Sequence, residues 1–117
     1  MKKYMIATIL SLAFLSMHAQ LFVEGVELTP ENAGKYMVLQ VGRGVGSSQI
    51  RVIVDYGQAK RLNERQVLTD SKGETSYFNN MVNALNFFDE NGWEVAQVYV
   101  VGDPLAQTTN YLLKRKE

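Results

Sequence analysis

Residues 79–101 of the chain, NNMVNALNFFDENGWEVAQVYVV, pass from a helical pattern to a strand pattern at one glycine. The apolar residues of the first part fall on one side of a helical wheel, and they are Met81, Ala84, Leu85 and Phe88. We therefore predict a helix over residues 80–91, with Asn79 as its N-cap and Gly92 as its C-terminal stop. Residues 93–101, which are rich in valine and aromatic side chains, predict a long β-strand.

On both sides of residues 79–101, strand-forming runs alternate with turn signals. The runs that predict strands are residues 36–42, 49–57, 65–70, 74–77 and 110–116. Glycine-rich residues 42–48 connect the first two runs, and Gly73 suits the left-handed position of a hairpin between the next two. This order predicts a single α+β domain, in which one helix packs on one face of a mainly antiparallel sheet of about five to six strands.

The start of the chain has the pattern of a secretory signal peptide. Lys2 and Lys3 precede an uncharged apolar run over residues 5–17, and Ala19 is a small residue at the expected cleavage site. The run is shorter than the roughly 20 residues that cross a bilayer, so we expect no stable membrane span and a periplasmic or secreted protein. The alternative is that this segment forms an N-terminal helix of the domain.

The predicted organisation divides the chain into a signal peptide, a lead-in segment and one domain. These cover residues 1–19, 20–35 and 36–117. The lead-in begins with the apolar residues Leu21, Phe22 and Val23. These residues either lie across the domain or belong to a disordered tail.

The composition excludes several classes of chemistry. The chain has 12 Lys and Arg residues, 12 Asp and Glu residues, no cysteine and a single histidine, His18, which lies in the predicted leader. After cleavage, no disulfide, thiolate nucleophile or histidine-based metal site is available, and we predict no cofactor and no metal. The balanced charge also argues against a nucleic-acid partner, because such binding depends on neutralising phosphates.

The C-terminal third of the chain resembles a family of small bacterial domains of unknown function. The residues that support the resemblance are Ala84-Leu85-Asn86, Gly92-Trp93-Glu94-Val95 and Tyr111-Leu112-Leu113-Lys114-Arg115. In that family a short helix ends at a Gly-Trp-Glu strand, and the closing strand ends in a basic residue. The resemblance covers residues 80–116 and implies an α+β fold, but it implies no activity.

Four residues are candidates for a surface that contacts another protein, and they are Phe87, Asn83, Arg43 and Tyr111. Phe87 lies outside the apolar stripe of the helix, so its ring is either covered by another segment of the chain, for which Phe22 and Val23 of the lead-in are candidates, or available to a partner. If the ring marks a contact surface, Phe87→Ser leaves the fold intact and weakens association. Arg43 is the charged residue of the glycine-rich loop, which lacks the lysine and the following helix of a phosphate-binding loop.

Two further features leave alternatives open. Trp93, the single tryptophan, either fills the core between helix and sheet or lies exposed at an interface. Asp55 and Glu94 could be neighbours across the sheet, as a hydrolase based on two carboxylates requires. No spacing in the sequence brings a particular pair of acids together.

The function predicted from the sequence is non-catalytic binding or assembly outside the cytoplasm, through another protein or a second copy of the chain. If the terminal strand 110–116 lies at a sheet edge, strand addition by a second copy predicts a homodimer. One alternative is capture of a sugar or lipid fragment in a helix–sheet pocket of roughly 300 Å³ or more. The other is a hydrolase that uses carboxylates alone.

Overall fold

The computed structural model describes residues 20–43, 48–58 and 66–117. The predicted signal peptide, most of the glycine-rich loop, the side chain of Arg43 and the basic residues Lys60, Arg61 and Arg65 lie outside the described residues. None of the helical structure in the described part of the chain is long and apolar enough to cross a bilayer.

The described residues form one helix and two antiparallel sheets, which confirms the α+β prediction. The elements in chain order are β1 (Phe22–Val23), β2 (Val26–Glu27), β3 (Tyr36–Arg43), β4 (Ile50–Asp55), β5 (Leu68–Thr69), β6 (Tyr77–Phe78), α1 (Met81–Glu90), β7 (Trp93–Val101) and β8 (Thr108–Arg115). The larger sheet has the strand order β6-β4-β3-β8-β7, and the smaller one has the order β2-β1-β5.

The core lies on one face of the larger sheet, where α1 and the smaller sheet cover it. The period of two along each strand sends alternate side chains to this face, and the period of the helix adds one stripe. The buried residues of this cluster are Leu21, Val23, Met37, Leu39, Val52, Val54, Leu68, Ala84, Phe88, Trp93 and Leu113. Trp93 is only 3% exposed, so the prediction that it fills the core is confirmed.

The lead-in segment is folded into the domain. Its strands β1 and β2 form a hairpin whose turn contains Glu24 and Gly25, both with positive φ. Strand β1 also pairs with β5, and the side chains of Leu21 and Val23 lie in the core. The alternative of a disordered tail is therefore wrong, because this segment supplies apolar area that the core buries.

The helix is one residue shorter at each end than predicted. Asn80, not Asn79, is the N-cap, because its extended backbone lets Oδ1 accept the N–H of Asn83 at 2.9 Å. Gly92, at φ +92°, follows the helix, and its N–H donates to the carbonyl of Asp89. The predicted glycine stop is confirmed.

The turn predicted at Gly73 is present, but the strands on either side are shorter than predicted. Asp70 holds the turn, because its Oδ1 accepts the N–H groups of Lys72 and Glu74. Thr69 and Thr75 form a single β-bridge, and beyond it the two sides of the turn separate. Strand β5 joins the smaller sheet through β1, and strand β6 joins the larger sheet through β4.

The closing strand is not at a sheet edge. Strand β8 lies between β3 and β7 and is paired antiparallel on both sides. The homodimer expected through residues 110–116 required this strand to lie at a sheet edge, and that condition is not met. The edge on this side of the larger sheet is β7.

Candidate contact surface on the β7–β8 hairpin

The turn between β7 and β8 is fixed by a glycine and an aspartate. Gly102 has φ +112°, and a Cβ at this position would overlap the carbonyl oxygen of Ala106. Asp103 Oδ1 accepts the N–H groups of Leu105 and Ala106 at 3.1 and 3.0 Å. The result is a defined turn that leaves the side chain of Leu105 98% exposed at its tip.

A β-bulge at Ala96 sets which side chains of β7 face the helix. Before the bulge Val95 pairs with Leu113, and after it Val98 pairs with Tyr111. Cross-strand partners share a face of the sheet, and Leu113 and Tyr111 are two apart on β8. Val95, Val98 and Val100 therefore lie on the face of the sheet that α1 covers near the start of β7. Gln97, Tyr99 and Val101 lie on the opposite face.

The helix covers only the start of β7. Trp93 is buried, and every later residue of the strand is exposed. The large apolar side chains exposed on β7 are Val95, Val98, Tyr99, Val100 and Val101. We call residues 97–109, which extend beyond the cover of the helix, the arm.

The arm has the features that natural edge strands usually avoid. Strand β7 is nine residues long, and in the described part of the chain it pairs only with β8. Its only charged residue is Glu94, and from Val95 to Leu113 the sequence has no charged residue except Asp103. Edge strands are normally short, charged or interrupted by proline, because open main-chain groups beside apolar side chains invite pairing with another chain.

The base of the hairpin, in contrast, is held firmly. The guanidinium of Arg115 lies 4.7 Å from the centroid of the Trp93 ring, and its Nη2 donates to the carbonyls of Ala33 and Gly34 at 2.7 and 3.1 Å. A planar guanidinium can stack and donate several hydrogen bonds at once, which a lysine cannot. The contact joins three distant segments, so the hairpin is fixed at one end and free at the other.

A second basic residue, Lys116, links the same end of the hairpin to the end of α1. Lys116 Nζ lies 2.6 Å from Asp89 Oδ1 and donates to the Asp89 carbonyl at 3.1 Å. Its backbone N–H donates to the carbonyl of Gly92. A cation at the end of α1 also complements the helix dipole.

The four predicted contact residues do not form one exposed surface. Phe87 is half-buried, with ring centroids 5.6 Å from Phe78 and 6.0 Å from Phe88. Another segment of the same chain therefore covers the ring, and that segment is strand β6 and not the lead-in. Tyr111 is half-buried against the core, Asn83 is exposed on α1, and the side chain of Arg43 is outside the described residues.

The exposure of β7 is not predicted by its valine-rich pattern, although another feature of the sequence indicates it. A run of valines predicts a β-strand, but it does not show whether that strand is buried or exposed. From Val95 to Leu113 the one charged residue is Asp103, in the glycine–aspartate–proline turn, so both strands of this hairpin lack a charged face. That feature distinguishes it from a strand pair with one solvated side.

Two depressions lie beside the helix. The first, of about 390 Å³, is lined by Val41, Ser48, Gln49, Ile50, Asn79, Asn80 and Met81 at the start of α1. The second, of about 190 Å³, is lined by Leu85, Asn86, Asp89, Trp93, Glu94, Val95 and Leu113 where the helix meets β7. The first is within the size range of small-ligand sites, and the second is below it.

Asp55 and Glu94, the two acids that could have been neighbours across the sheet, lie far apart. Asp55 pairs with Val38 on β3, and Glu94 pairs with Lys114 on β8. Strands β3 and β8 separate the two acids, and three strand spacings amount to roughly 14 Å. Paired carboxylates in glycoside hydrolases are at most about 9.5 Å apart. The residues that the structure describes contain no group of three or more His, Asp or Glu side chains placed to hold a metal ion.

Comparisons of the chain with family models, with curated proteins and with solved structures find no match. The resemblance of residues 80–116 to small bacterial domains therefore stays a prediction. The structure does give a physical role to the residues behind it. Gly92 ends the helix, and Trp93 and Arg115 stack at the base of the hairpin.

Proposed function

We propose that the protein is an exported, non-catalytic protein-contact module and that the arm is its contact surface. The observation that supports this most directly is the row of exposed apolar side chains on β7, whose outer main-chain side pairs with no other strand among the residues that the structure describes. We infer export from the signal-peptide pattern of residues 1–19.

The energetics favour a partner at this surface. Val98, Val100 and Val101 are each more than half exposed, and Leu105 is almost wholly exposed. Burying such a side chain stabilises a complex by about 1.5–3 kcal/mol when burial is complete. A partner strand would also satisfy the open N–H and carbonyl groups of β7. Apolar contacts and main-chain hydrogen bonds thus lie along the same edge.

A photo-reactive residue at position 98, compared with one at position 82, tests the proposal in cells. Val82 is a suitable control because it is also a valine, is 64% exposed and lies on α1, away from the arm. We expect a discrete cross-linked species from position 98 and none from position 82. If both positions give the same pattern, or if neither gives a product, the arm is not the contact surface.

The 390 Å³ depression supports a second candidate function, the capture of a small polar ligand such as a sugar. Its apolar part is formed by Val41, Ile50 and Met81, and its rim contains the side-chain amides of Gln49, Asn79 and Asn80. Pockets that combine apolar walls with a few polar groups are typical ligand sites. We expect Ile50→Trp to fill this pocket and abolish any sugar-induced shifts of Asn79 and Asn80 amides in NMR titrations. The absence of such shifts in the unmodified protein would exclude the candidate.

A further inference from the structure

We infer that the arm binds a second copy of this chain, with the two β7 strands paired antiparallel about a two-fold axis near Tyr99. This inference rests on the proposed function and names the partner. The product is a continuous ten-stranded sheet made from two five-stranded sheets. Such an interface is isologous, because each copy contributes the same surface.

The distribution of charge favours antiparallel pairing of identical strands. Glu94, the only charged residue of β7, lies close to the beginning of the strand. Antiparallel pairing centred on Tyr99 places the two Glu94 side chains at opposite ends of the interface. Parallel pairing in register would place them side by side, where like charges are destabilising.

The bulge and the side-chain pattern favour Tyr99 as the centre. The bulge at Ala96 interrupts regular pairing, which leaves residues 97–101 as the uninterrupted part of the edge. Pairing about Tyr99 sets Val98 opposite Val100 and Tyr99 opposite its own copy. Aromatic pairs and pairs of β-branched residues are favourable cross-strand neighbours.

The same register brings together two features that are otherwise unexplained. With Tyr99 at the centre, the turn of one copy, which has the exposed Leu105 at its tip, lies beside the beginning of β7 of the other copy. That is the position of the 190 Å³ depression, whose apolar lining includes Leu85 and Val95. A fully exposed leucine and a shallow apolar depression on one molecule are therefore complementary across the two-fold axis.

Single cysteine substitutions test the register, because the chain contains no cysteine of its own. Paired residues in antiparallel strands have Cα atoms about 4.5–5.5 Å apart, which a disulfide can bridge. We expect Tyr99→Cys to form a disulfide-linked dimer under mild oxidation. Gln97→Cys and Val101→Cys should each stay monomeric alone, since their own copies lie roughly 14 Å apart, and should cross-link when mixed. The control is Val82→Cys on α1.

The pattern of cross-links decides between the geometries. Equal cross-linking at positions 97, 99 and 101 would indicate parallel pairing in register and overturn the inference. Cross-linking at position 82 as efficient as at position 99 would mean random collision, and it would overturn the inference equally.

Analytical ultracentrifugation tests the dimer without any cross-link. We expect the unmodified protein to show a concentration-dependent dimer, Val100→Lys to be monomeric at the same concentration, and Val82→Lys to dimerise normally. Both substitutions are at exposed valines, so circular dichroism should show an unchanged fold.

The two proposals can fail separately. An unmodified protein that is monomeric at millimolar concentration overturns the self-pairing. If position 98 then still cross-links in cells to a protein of different mass, the arm is a contact surface for another chain. If position 98 gives no product either, both proposals are wrong.

Discussion

At the scale of single residues, the contact between the Phe87 and Phe78 rings joins the helix to strand β6. Phe87 illustrates the limit of reasoning from a helical wheel. Its angle from the apolar stripe leaves open whether the ring is covered or available to a partner, and Phe78 from β6 covers it. The wheel shows only the helix, and a two-residue strand such as β6 leaves too weak a sequence pattern to be placed beside it.

Replacing Phe87 by alanine should therefore destabilise the fold, contrary to the expectation drawn from the sequence for Phe87→Ser. We expect a loss of about 1–3 kcal/mol in the free energy of unfolding, less than for a fully buried phenylalanine. A double-mutant cycle with Phe78→Ala should give a coupling of about 0.5–1.5 kcal/mol for the ring pair. Urea denaturation measures both quantities. Val82→Ala, at an exposed site, should change stability by no more than about 0.5 kcal/mol.

At the scale of elements, the sequence predicts helix ends and turns correctly, but it does not predict which strands pair with each other. The stop at Gly92 and the turn at Gly73 follow from short stretches whose physics is local. The place of β8 inside the sheet depends on partners more than 70 residues earlier in the chain, on β3. No pattern within residues 110–116 distinguishes an inner strand from an edge strand of similar composition.

The β7–β8 turn gives a prediction at this scale. Gly102→Ala should lower the free energy of unfolding by about 1–3 kcal/mol, because the backbone is left-handed and the added methyl group meets the Ala106 carbonyl. Hydrogen exchange should rise most in the arm. Gly34→Ala is the matched control, since an added Cβ there has nothing within 4 Å. Equal losses for the two variants would contradict the role assigned to the turn.

At the scale of the whole molecule, the chain combines balanced charge with one apolar projection. Without the predicted leader, which contains Lys2 and Lys3, 10 basic and 12 acidic residues remain, and this near balance gives little net electrostatic attraction to a partner. The covered face of the larger sheet contains the core, and the arm extends past that cover. Association at the arm should then depend on apolar burial and main-chain pairing.

The salt dependence of dimerisation tests this description. Raising the NaCl concentration tenfold should change the dissociation constant by less than about threefold, because screening acts on charges and the arm contains only Asp103. Sodium sulfate should tighten the dimer, since it strengthens the burial of apolar surface. Sedimentation at several salt concentrations measures both effects. A dimer that dissociates as NaCl rises would show that ion pairs hold it together.

The one-sided attachment of the hairpin has a consequence for protein engineering. Trp93, Arg115 and Lys116 anchor its base, and none of these anchors reaches the segment from Gln97 to Thr109. That segment is therefore exchangeable: a hairpin of different sequence, grafted between the same two anchored ends, should leave the hydrophobic interior of the domain as it is.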